Sequence, residues 1–125
     1  IAVNGCFVLG LDGDGPEVFD AVERFVRDSG QFDVQITVMT PFPGTPLYER
    51  LRREGRLLEE GAWERCTLFD INVRPLGMSP ETLQREALAL GRRLYTEEER
   101  TARGKRFREQ RRRYVRRQQT MRCSA

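Results

Sequence analysis

Residues 2–10, "AVNGCFVLG", form a short apolar run rich in β-formers but without clean alternation, the pattern of a strand covered on both faces. "LDGDGP" then supplies Asp-Gly and Gly-Pro turn signals, and Asp14 or Gly15 can cap a helix entered through Pro16. In that helix Val18, Val22, Phe25 and Val26 recur at helical spacing and predict one buried stripe, which Gly30 ends. "FDVQITVM", Phe32 to Met39, predicts a second strand. A strand, helix and strand of these lengths form a right-handed βαβ unit with parallel strands. Two parallel strands do not make a sheet that stands alone, so their edges are expected to pair with elements of a longer protein. The start at Ile1, inside an apolar run, carries the same expectation of a fragment.

Beyond the second strand, Thr45 caps and Pro46 opens a short helix through about Arg53, stopped by Gly55. The apolar residues of "LLEEGAWERCTLFDINVRPLG" keep no sustained period; they predict a helical turn near Trp63 and an extended segment from Thr67 to Val73. Ser79 and Pro80 begin a helix whose Leu83, Ala87, Leu90 and Leu94 share one face. Thr96 with Glu99 forms a capping box, which predicts a break before a last helix, mostly Arg, with Phe107, Tyr114 and Met121 seven residues apart.

Charge changes this picture more than the net +3 conveys. Residues 1–102 carry 12 Lys and Arg against 18 Asp and Glu, a balance of −6, whereas residues 103–125 carry 10 basic residues against Glu109 alone, a balance of +9. The tail admits three readings: a solvated helix partly docked on the acidic body, an RNA contact in which Phe107 and Tyr114 stack on bases, or a helix lying on an anionic membrane. No stretch approaches the roughly 18 apolar residues of a membrane span, and no signal-peptide pattern opens the chain, so a cytoplasmic setting is expected. Cys6, Cys66 and Cys123 lie about sixty residues apart, which fits neither a disulfide framework nor a CxxC-type metal site.

Ligands of parallel α/β sheets and barrels bind at the carboxyl ends of strands, where both "GLDGDGP" and "TPFPGTP" lie. Pro41, Pro43 and Pro46 hold the second loop in one extended path and remove N–H donors, which suits a flat apolar ligand group, and Gly44 allows a sharp turn; a rigid loop that only starts a helix fits the same residues. "GLDGDG" lacks the GxGxxG spacing of a dinucleotide fingerprint, and as a calcium loop it has Pro16 at a ligand position and Glu17 in place of the required glycine.

Together, "FVLGLDGD" and "TPFPGTPLYERLRREGRLL" resemble the fifth and sixth strands of radical S-adenosylmethionine enzymes, in particular the group with an N-terminal cobalamin-binding domain that includes hopanoid methylase-like proteins. The likeness runs from Ala2 to about Tyr95, with "WERCTLFDINVRPLGMSPETLQREALALGRRLY" resembling that group's C-terminal extension. It implies an α/β (α+β) fragment: the last two strands of a partial (β/α) barrel in residues 1–58, a small extension in 59–102 and a basic helical tail in 103–125. It also implies that Val8 packs on the adenine of S-adenosylmethionine, that Gly10 and Asp12 belong to the loop beside it, and that Met39, Thr40 and Pro41 border its other edge. The family's Gly-Leu-Pro-Gly-Glu loop corresponds to Gly10–Asp14, with Asp12 and Asp14 replacing Pro and Glu, and Cys6 stands where some members have glycine. The family's CxxxCxxC, which binds a [4Fe–4S] cluster, is absent from these residues.

The resemblance therefore implies a parent enzyme using S-adenosylmethionine, a [4Fe–4S] cluster and cobalamin for methyl transfer or related radical chemistry on an unactivated carbon of a small-molecule or lipid substrate. This chain would add one wall of the site, pack against the remaining barrel and the cobalamin domain, bind no cofactor alone and be inactive alone. The competing expectation is a non-enzymatic module that binds RNA or an anionic membrane through its Arg-rich tail.

Overall fold

The computed structural model describes residues 2–123; Met121 and Cys123, named above, lie outside the described side chains. The elements run β1 (Asn4–Leu9), α1 (Val18–Asp28), β2 (Asp33–Val38), α2 (Pro46–Arg53), a 3₁₀ turn (Trp63–Arg65), α3 (Pro80–Leu94) and α4 (Glu97–Cys123). Among the described residues this is a mixed α/β arrangement of four α-helices and one two-stranded parallel sheet. β1 and β2 pair in register from Asn4 opposite Asp33 to Leu9 opposite Val38, and Met39 N–H continues the ladder to Leu9 C=O at 2.8 Å.

One core joins the βαβ unit to α3. Leu9, Phe19, Val26, Val34, Ile36 and Val38 pack with Ile71, Leu83, Leu90 and Leu94, all buried. The α3 stripe follows the predicted spacing, with Ala87 packed at its margin. In α1 Val26 is buried and Val18 and Val22 pack against the core as predicted, but Phe19 joins them in place of Phe25, which is 53% exposed and meets the edge of Phe7, ring centroids 5.8 Å apart. At 100° per residue Phe19 and Val26 mark the middle of the buried face and Phe25 falls at its far margin.

β1 is not covered on both faces here, whereas β2 is from Ile36 to Val38. Asn4, Cys6 and Val8 alternate as the exposed positions of β1, Val8 at 48%. The outer edge of β2 is closed by the C-terminal half of the chain, since Ile36 N–H donates to Tyr95 Oη at 2.9 Å and Val38 N–H to Leu68 C=O at 2.9 Å. Among the described residues no third strand pairs with β1.

The predicted extended segment from Thr67 to Val73 is mostly a turn. The Thr67 hydroxyl donates to Asp70 Oδ2 at 2.6 Å and accepts from the backbone N–H groups of Phe69 and Asp70, which bends the chain, and Leu68 adopts a left-handed φ of 69°. At the segment's end Val73 forms an antiparallel bridge with Leu57.

Three caps behave as the sequence predicts. Thr45 Oγ1 accepts from Tyr48 N–H, Ser79 Oγ from Thr82 N–H, and Thr96 Oγ1 from Glu99 N–H. The Glu99 carboxylate does not complete the capping box; it pairs with Arg27 and Arg106 instead. α1 begins later than predicted, at Val18, because Asp14 is engaged elsewhere.

Candidate functional site

The carboxyl ends of β1 and β2 open into a cavity of about 430 Å³. Val8, Leu11, Asp12, Thr37, Met39, Thr40, Leu47, Arg50 and Leu68 line it. Val8 and Thr37 are register partners, so adjacent strands present them side by side. Both threonine hydroxyls are taken up by backbone carbonyls, Thr37 Oγ1 donating to Phe7 and Thr40 Oγ1 to Val38, each at 3.1 Å. With its hydroxyls turned to the backbone, the shelf formed by Val8, Thr37, Met39 and Thr40 suits a flat apolar ring more than a polar group.

The first loop is closed by its own aspartate. Asp14 Oδ2 accepts from Gly10 N–H and Leu11 N–H, both at 2.9 Å, and Asp14 N–H returns to Leu11 C=O at 3.0 Å. Gly10 sits at φ 85°, and a Cβ there would lie 2.6 Å from Leu83 Cδ2. A glycine is therefore required twice, for the left-handed turn and for the approach of α3.

Asp12 links this loop to α2. Its Oδ1 accepts from Arg56 Nη2 at 2.7 Å and its Oδ2 from Arg50 Nη1 at 2.8 Å. The Arg56 hydrogen bond, helped by Arg50 and opposed by partial burial, holds the Asp12 carboxyl below the usual carboxylate range. Arg56 is itself buried, donating also to Glu54 Oε2 at 3.0 Å and through Nε to Arg74 C=O at 2.8 Å. Its position follows from how α2 ends: Gly55, at φ 65°, donates to Arg52 C=O and Arg56 N–H to Leu51 C=O, a Schellman motif that turns Arg56 back under the loop.

Of the residues singled out from sequence, Val8, Asp12, Met39 and Thr40 line the cavity. Gly10, against Leu83, and Pro41, fully buried, are not part of its lining. The sequence motifs do not by themselves point to Leu11, Thr37, Leu47, Arg50 and Leu68, which also line the cavity, or to Arg56, which holds Asp12. Leu47 and Arg50, three residues apart in "PLYER", could have been found by helical spacing; the placements of Arg56 and Leu68 depend on long-range packing. Among the described residues no three His, Cys, Asp or Glu side chains converge as a metal site. No helix of the described residues is long and apolar enough to cross a membrane.

A family model described as a domain of unknown function (DUF4070) matches residues 45–124. The chain is 29% identical over 96 residues to a bacteriochlorophyllide d C-12(1)-methyltransferase of Chlorobaculum tepidum, covering 76% of this chain and 20% of that protein. It is 38% identical over 60 residues to a hopanoid C-2 methylase of Rhodopseudomonas palustris, 48% of this chain and 11% of that protein. It is 34% identical over 73 residues to an uncharacterized methyltransferase of Synechocystis, 56% of this chain and 14% of that protein. The chain thus spans a fifth or less of the length of these relatives. No solved structure matches. With well over half of its residues under the family model and methylases among its relatives, the chain belongs to the DUF4070 family, found in cobalamin-dependent radical S-adenosylmethionine methylases.

Proposed function

We propose that this chain forms one wall of the S-adenosylmethionine and substrate site of a cobalamin-dependent radical methylase. On this reading residues 1–58 are the fifth and sixth strands of a partial (β/α) barrel, residues 59–102 the extension that closes its open edge, and residues 103–125 a basic tail. The observation that carries the reading is the convergence of Val8, Asp12, Met39 and Thr40 on one cavity at the carboxyl ends of two parallel strands. Val8 and Met39 would carry the adenine, and Pro41 would fix the backbone that borders it. Asp12, held by Arg56, would keep the loop in place. The cluster and cobalamin would be held by other parts of the parent and would supply hydrogen abstraction and a methyl group.

The relatives' names, a hopanoid methylase and a bacteriochlorophyllide methyltransferase, support an apolar ring-bearing small molecule or lipid as the substrate class. The test is Val8→Asp in the full-length parent, where a carboxylate would stand against the adenine, with Val8→Ile as the conservative control. Val8→Asp should lose S-adenosylmethionine binding at least tenfold, from the roughly 1.4 kcal/mol or more needed to place a charge on that shelf, while iron content and helical signal stay constant. Unchanged affinity in Val8→Asp would remove Val8 from the cofactor site.

A further inference from the structure

The Arg-rich tail is left over by this reading, and the structure divides its surface in two. Its first turns are docked: Arg103 is 1% exposed and donates to Leu94 C=O at the end of α3 at 2.6 Å, and Phe107 packs edge-on against Phe32 with ring centroids 5.2 Å apart. One heptad later Tyr114 borders a cleft with Val3 and the Ser29–Gln31 turn. Phe107 thus faces the body, whereas Tyr114, at the rim of that cleft, remains exposed. On the solvent side Arg108, Arg111, Arg112 and Arg116 surround Val115 on one continuous face, roughly 140° of the circumference at 3.6 residues per turn.

Every residue from Arg108 to Arg117 is exposed, and Glu109, the single acid beyond residue 102, lies at the margin of that face. Like charges stand at i,i+3 (Arg108 and Arg111) and i,i+4 (Arg108 and Arg112), spacings that destabilise an isolated helix and that an anionic partner relieves.

We propose that this face of α4 lies on an anionic membrane surface, with the arginines on lipid phosphates and Val115 at the headgroup boundary. Arginine matches phosphate oxygens with its planar fork. The competing partner, RNA, has a poorer platform for stacking, because Phe107 is packed on Phe32 and exposed Tyr114 stands outside the Arg face, about 60° around the helix from Arg111. The choice of a lipid surface rests on the apolar-substrate reading above; the binding test does not require that reading to hold.

The test is flotation of the 125-residue chain with phosphatidylglycerol-containing vesicles, with pure phosphatidylcholine vesicles, and in competition with single-stranded RNA and a DNA duplex. Binding to the anionic vesicles alone, weakening with salt, is expected. Arg108→Gln/Arg111→Gln/Arg112→Gln should lower it about 100-fold, from roughly fivefold per basic residue, with unchanged circular dichroism. Val115→Asp, which adds a repelled carboxylate at the centre of the face, should weaken binding without touching an arginine. Equal binding to neutral vesicles, retention by the triple variant, or displacement by RNA or duplex at matched phosphate would each overturn the proposal, the last in favour of a nucleic-acid surface. Loss of vesicle binding would leave the cofactor-wall reading untouched, since that stands on the Val8 experiment.

Discussion

Asp12 and Arg56 offer the sharpest test of how the site loop is held. The perturbation is a double-mutant cycle of Asp12→Asn and Arg56→Met, with Asp12 and Arg50 as the internal comparison. The Arg56 side chain is 10% exposed and that of Asp12 33%, and their 2.7 Å contact is charge-assisted. Such bonds contribute about 1.5–3 kcal/mol. The partial exposure of Asp12 places this one near the lower end, about 1.5 kcal/mol, and the Arg50 pair, 44% and 33% exposed, at about 0.5 kcal/mol. Single removal of Asp12 should cost more than the coupling alone, because Arg56 stays buried with only Glu54 and the Arg74 carbonyl.

Urea unfolding followed by circular dichroism gives the four free energies. The pH dependence has a definite sign. The folded carboxyl titrates below its unfolded value, so its stabilisation is fully present above the unfolded pKa of about 3.9 and disappears as pH falls through the lower folded value. The coupling should be constant between about pH 7 and pH 5 and decline only below about pH 4. A coupling under about 0.5 kcal/mol, or one no larger than that of Arg50, would refute the assignment of Arg56 as the anchor of the loop.

Three further outcomes follow from the packing. Gly10→Ala should destabilise by about 2–3 kcal/mol, from left-handed backbone strain plus the clash with Leu83; combined with Leu83→Ala it should cost clearly less than the sum, and strict additivity in denaturant unfolding would show that the two do not meet. Tyr95→Phe should cost about 0.5–1.5 kcal/mol, since Ile36 N–H loses its acceptor at the sheet edge, and hydrogen exchange at Ile36 should accelerate; an unchanged rate would mean that the edge is not closed there. Arg103→Ala should release the start of α4 and cost about 1–3 kcal/mol by leaving the Leu94 carbonyl without its donor, read from quenching changes in a Phe107→Trp background.

The residues by themselves determined much of the local structure. Thr45, Ser79 and Thr96 cap helices because a short hydroxyl side chain can reach the N–H three residues on, and Gly55 ends α2 because its left-handed φ is open to glycine. Such information needs no partner distant in the chain, and the α3 stripe was legible for the same reason. The candidate site was half legible: Val8, Asp12, Met39 and Thr40 could be named because strand ends gather loops, a rule of topology rather than of side-chain contact.

Tertiary structure decided what depends on distant partners. Asp14 could have capped α1, but two N–H groups of its own loop claim its carboxylate, and the helix starts three residues later than it might. Phe25 and Phe19 are equally apolar, and only the angle at which α1 meets the sheet chooses Phe19 for the core. Arg56 is one of many arginines in the sequence; burial beside an aspartate 44 positions away makes it different. Phe107 could serve stacking or packing until the docking of α4 on Phe32 turns its ring inward, while Tyr114 and the arginines beyond it stay exposed.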